Sequence, residues 1–102
     1  MKLIWTDPSI EDLRSIRDYI ARDSDYYAAD LVEQMILSVE RVLRFPRLGR
    51  VVPEAQDENI RELVYQNHRI IYRIAGERID VLAIVHGKRD LTRHRTPPWE
   101  ID

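Results

Sequence analysis

An α+β architecture of order β-α-α-β-β-β follows from three features of this 102-residue sequence. Apolar residues recur at three- and four-residue spacing between Ile10 and Phe45, and they alternate with other residues from Ile60 onward. Between these regions lies a polar stretch with two prolines and a glycine. A helical period followed by a strand period places a helical hairpin on one face of a small, mainly antiparallel sheet. The length suggests one domain over residues 1–102.

Lys2 to Thr6 is a short β-type run, and Asp7-Pro8 after it reads as an N-cap and first helical position. Ile10, Leu13, Ile16 and Ile20 form one apolar stripe, with Glu11, Asp12, Arg14, Arg17 and Asp18 on the other side. Arg22 to Asp25 breaks the pattern, and Ser24 can cap a second helix with Asp25 at its electropositive end. Ala28, Leu31, Val32, Met35, Ile36, Val39, Val42 and Leu43 keep the helical period up to Phe45, where Pro46 ends it. A connection this short makes the helices an antiparallel hairpin.

Residues 45–59 read as a connecting loop. Ile60 to Tyr65, Arg69 to Ala75 and Arg78 to His86 are rich in Ile, Val and Tyr, with Q-N-H and A-G-E as turns between them. On the middle strand Ile70, Tyr72 and Ile74 face one way, and Arg69, Ile71 and Arg73 the other. The second face is expected to stay available, with Glu62 a cross-strand partner for Arg69 and Arg73.

With 44% hydrophobic and 33% charged residues, the composition is that of a soluble globular chain. Absence of cysteine excludes disulfides and thiolate metal sites, and neither metal nor cofactor is expected. No apolar run precedes Asp7, so a secretory leader is not expected. The longest apolar run, Val81 to Val85, falls far short of the ~20 residues that span a bilayer. A cytoplasmic location without a membrane partner is the expectation. Charge is divided unevenly: residues 1–40 hold four basic and nine acidic side chains, residues 41–102 twelve and nine. Fourteen of the sixteen cations are Arg, whose planar fork suits phosphates and carboxylates.

Five segments, D-L-x-x-I-x-x-Y-I at Asp12 to Ile20, F-P-R-L-G-R at Phe45 to Arg50, I-R-E-L at Ile60 to Leu63, H-R-I-I-Y-R-I at His68 to Ile74 and V-H-G-K-R-D-L at Val85 to Leu91, together resemble the RelE/ParE superfamily of type II toxins. The resemblance covers nearly the whole chain in order. It implies the β-α-α-β-β-β fold, growth inhibition, and a cognate antitoxin wrapped over the helical hairpin and a sheet edge. Operator DNA would be met only indirectly, through the antitoxin. Superfamily members act in two ways: RelE-like toxins cut mRNA on the ribosome, and ParE-like toxins poison DNA gyrase.

Metal-independent RNA cleavage needs cations for the scissile phosphate and groups that move protons. For a RelE-like site the resemblance implies Arg69 and Arg89 as the phosphate clamp and His94 as the substitute for a missing C-terminal Tyr, with Arg61 nearby. His68 and His86 are further proton-transfer candidates, since His titrates near neutral pH. The ParE-like reading instead makes Arg61, Arg69, Arg73, His86, Lys88, Arg89, Arg93 and Arg95 a target-binding surface. A long second helix and the absent Tyr tip the balance toward this branch. A third reading is a non-toxic homologue that only binds an antitoxin.

Overall fold

The computed structural model describes residues 1–87 and 97–100 of the chain. The elements are β1 (Lys2–Trp5), α1 (Asp7–Ala21), α2 (Asp25–Arg44), β2 (Arg50–Val51), β3 (Ile60–Tyr65), β4 (His68–Ala75) and β5 (Arg78–His86), followed by a 3-10 turn at Pro98–Glu100. All strands form one sheet in the order β1-β5-β4-β3-β2, antiparallel except where β1 runs parallel to β5. The α+β fold and its helical hairpin are as the periodicity predicts.

Differences from the sequence reading occur where local signals compete. Thr6, not Asp7, caps α1: its hydroxyl accepts from Ser9 N at 3.4 Å and donates to Val81 O at 2.7 Å, which joins the helix start to β5. Pro8 still falls in the first turn, where its missing N–H costs nothing. Ser24 caps α2 as expected, accepting from Tyr27 N at 3.1 Å. Within the expected loop 45–59, Arg50 and Val51 pair with Glu62 and Arg61 to form β2. Two residues are too few to show an alternation.

The helix-facing core joins Leu31, Met35 and Val39 of α2 to Ile70, Val81 and Ile84 of the sheet. Leu13, Ile16 and Ile20 of α1 pack against the same cluster. The opposite face is also covered, contrary to the expectation of an available surface. Val52, Ile60, Ile71, Leu82, Ala83 and Val85 form a second apolar cluster, with Ala55 and Trp99 packed on it. A bulge produces part of this cover: Ile71 pairs with Ala83 but Tyr72 with Val81, so Leu82 is the extra residue. Leu82 and Ala83 consequently both join the outer cluster, and inward-facing positions resume at Ile84.

β1 ends opposite Val81, which leaves the rest of the β5 edge without a strand beside it among the described residues. Helix α1 covers this edge, and Asp12 Oδ2 accepts from Ile84 N at 2.9 Å. No helix among the described residues is long and apolar enough to cross a membrane.

Candidate functional site

Alternation on β3 and β4 places Glu62 and Arg69 on the outer face as diagonal neighbours, because Glu62 pairs with Ile71 and Arg69 with Val64. Arg69 Nε donates to Glu62 Oε1 at 2.6 Å. Its Nη1 and Nη2 donate to the two Glu54 oxygens at 2.9 and 2.8 Å, a fork-to-fork pair. Arg50, opposite Glu62 on β2, donates its Nε to Glu62 Oε2 from the solvent side. The result is an alternating chain Arg50, Glu62, Arg69, Glu54, in which the Glu62 side chain is 0% and the Arg69 side chain 7% exposed. Hydrogen bonding to Glu54 raises the Arg69 pKa, burial opposes the rise, and Glu62 adds to it. Arg69 therefore remains cationic but is occupied, where the sequence suggested a cation on an exposed face.

Glu62 was legible as a partner for Arg69, but Glu54 and Arg50 were not. Glu54 comes from a loop that carries no period, and Arg50 from the short β2. Arg73 does not pair with Glu62. It sits opposite Asp80 and Ile60, and its guanidinium donates to Trp99 O on the 3-10 turn. Arg61 lies on the helix side of β3, opposite Tyr72, so it does not share a face with Arg69 and Arg73. Its Nη1 donates to Gly49 O and its Nε to Glu58 O, both at 2.9 Å.

The two described histidines meet at the end of the β4–β5 pair. His68 and His86 are register partners with ring centroids 6.4 Å apart in an edge-on arrangement. Burial, then repulsion from His86, lowers the His68 pKa. His68 Nδ1 is buried without a hydrogen-bond partner among the described residues, and Ser15, Ile16, Tyr19 and Ile20 of α1 line the cavity beside the pair. Lys88, Arg89, Arg93, His94 and Arg95 lie outside the described residues. Among the described residues no cluster of three or more His, Asp or Glu side chains could hold a metal.

A third feature, missed in the sequence, is the α2–β2 turn. Tyr72, 1% exposed, donates its hydroxyl to Pro46 O at 2.7 Å and accepts from Gly49 N at 2.9 Å. Gly49 has no room for a side chain, because a Cβ there would lie 2.5 Å from Glu62 O. Leu48 N closes the turn on Phe45 O at 2.9 Å. The turn is thus fixed from beneath, while Phe45 and Leu48 project outward.

Comparison with known proteins agrees with this architecture. The Toxin RelE2 of Caulobacter vibrioides (strain ATCC 19089 / CIP 103742 / CB 15) is 27% identical over 89 residues, which cover 86% of this chain and 97% of that protein. A structure described as the chromosomal ParDE TA system from P. aeruginosa superposes with a TM-score of 0.71 at 24% identity, over 84% of this chain and 95% of that one. The YoeB/ParE toxin from Agrobacterium tumefaciens gives 0.61 at 22% identity, over 84% and 98%. Both structures share the two-helix, mixed-sheet fold. Residues 3–91 match the profile of the ParE toxin of the type II toxin-antitoxin system, parDE. A match over that much of the sequence, on a fold with this strand order, makes the chain a member of the ParE toxin family within the RelE/ParE superfamily.

Proposed function

We propose that this type II toxin arrests growth by binding DNA gyrase, is neutralised by a cognate antitoxin, and does not itself cut RNA. The state of Arg69 carries this reading. A phosphate clamp requires a guanidinium able to turn its fork toward the substrate, and here Glu62 and Glu54 fill that fork. A phosphate taking their place would part the fully buried Glu62 from its inner cation and Glu54 from the Arg69 fork, and breaking a buried pair costs about 3–5 kcal/mol. Arg61 and Arg73 are likewise held by backbone carbonyls. Of the candidate set, target contact is then assigned to Lys88, Arg89, Arg93 and Arg95, with His86 at the strand end leading into them.

One observation favours the nuclease alternative. His68 and His86 lie side by side, and a pair of imidazoles can in principle take a proton and return it. The discriminating experiment is a gyrase supercoiling reaction run in parallel with a translation reaction, each with purified toxin. Loss of supercoiling with intact mRNA is expected. Cleavage of ribosome-bound mRNA with supercoiling untouched overturns the proposal, and silence in both reactions points to a homologue that only binds an antitoxin.

A further inference from the structure

The α2–β2 turn combines features that the sheet-face network does not use. Phe45 is 60% and Leu48 48% exposed, and together with Pro46, Arg44 and Arg47 they line a shallow, mainly apolar depression. Exposed single hydrophobic residues are ordinary, but this pair sits on a turn fixed by Tyr72 and by the tight approach at Gly49. Arg44 and Arg47 at its edge and Arg41 in the preceding helical turn are exposed, and none has an ion pair among the described residues.

From this juxtaposition we infer that the turn is a docking site for an acidic, amphipathic segment of a partner protein, with Phe45 and Leu48 as apolar anchors and Arg41, Arg44 and Arg47 as the charged rim. Preorganisation supports binding here, because an already fixed turn loses little conformational freedom when a partner seats on it. Charge selects the partner's sign. It also selects its class: Asp25, Asp30, Glu33 and Glu40 are exposed along the rest of α2 and repel a polyanion lying along the helix, whereas a short protein segment can bring its few carboxylates to the arginines alone. Burying the two anchors would add an apolar contribution that phosphate contacts do not supply. This inference stands apart from the gyrase reading, since either can fail without the other.

The test pans a random peptide library against the wild-type protein and against Phe45→Ala/Leu48→Ala, which alters exposed side chains only, with thermal melting to check that both are folded. Peptides recovered on the wild type alone are expected to place large apolar residues among Asp and Glu. A labelled peptide from that set should bind Arg44→Glu/Arg47→Glu about tenfold more weakly or worse, and should weaken as salt rises. The inference is overturned if the double alanine variant recovers the same peptides, if no wild-type-specific peptide emerges, or if those that do are basic. It is equally overturned if a labelled single-stranded oligonucleotide or phosphatidylglycerol vesicles bind this turn more tightly than the peptide.

Discussion

At the scale of single residues, Arg69 is the fulcrum of the outer face. Truncating it in Arg69→Ala leaves Glu62 buried without its inner cation and takes the Arg69 fork from Glu54, so unfolding free energy should fall by about 3–5 kcal/mol in a urea titration. Replacing the inner pair together, Arg69→Met/Glu62→Met, should recover much of the loss, because the fully buried carboxylate is then removed along with its cation. Equal losses in both variants would mean that packing, not charge, sets the cost. His68 supplies a pH dependence. Burial and the nearby His86 hold its pKa below the ordinary value of about 6.5, so above that pH it is neutral in both folded and unfolded chains. As pH falls below it the unfolded chain takes up the proton first, and stability drops until the folded pKa is passed. His68→Gln should flatten this part of a melting-temperature profile, and an unchanged slope would assign the effect elsewhere. Only part of this was readable from sequence. The period of β3 and β4 puts Glu62 and Arg69 on one face, but no period tells where an acid in a Pro-bounded loop, Glu54, will land.

Among elements, the strongly periodic ones were legible and the short or irregular ones were not. Buried apolar positions on α2 fall at Ala28, Leu31, Met35, Val39 and Val42, as the apolar stripe indicates, and β3 and β5 keep their sequence-derived bounds. The bulge at Leu82 was invisible, since an all-apolar run gives no alternation to interrupt. This run also hides which edge of β5 lacks a strand partner, and there α1 provides the cover through Asp12. Asp12→Ala should leave Ile84 N–H unsatisfied and cost about 1.5–3 kcal/mol, the range for hydrogen bonds to charged groups. Hydrogen exchange should locate the loosening at Ile84 rather than along α1, and uniform loosening of the helix would contradict the edge-cover role. The exposed turn after α2 was missed for a different reason: F-P-R-L-G-R reads as punctuation, and its rigidity depends on Tyr72, 23 residues away from Gly49.

For the whole molecule, the uneven charge distribution seen in the sequence becomes spatial. Acidic residues predominate on the helical layer, arginines are tied into or arrayed around the sheet layer, and the sheet's outer surface is stitched by ion pairs and a second apolar cluster. An open cationic platform was the natural reading of Arg69, Arg73 and their neighbours. Composition cannot distinguish a cation waiting for a ligand from one already paired, and the difference lies in contacts made by distant parts of the chain.

The parallel pairing of β1 with β5 has a temporal consequence. Thr6 and Val81 meet across 75 positions, and β5 is the strand between β1 and β4. During synthesis the sheet cannot close until Arg78–His86 leaves the ribosome, because β5, which joins β1 to the other strands, is the last of the described strands to be made. Nascent chains stalled with β5 still in the exit tunnel should be cut readily by protease, whereas chains with β5 released should resist; resistance before β5 emerges would refute this order. A toxin whose sheet closes only on β5 stays unfinished while that strand is being made, so an antitoxin already present can meet each copy as its sheet closes.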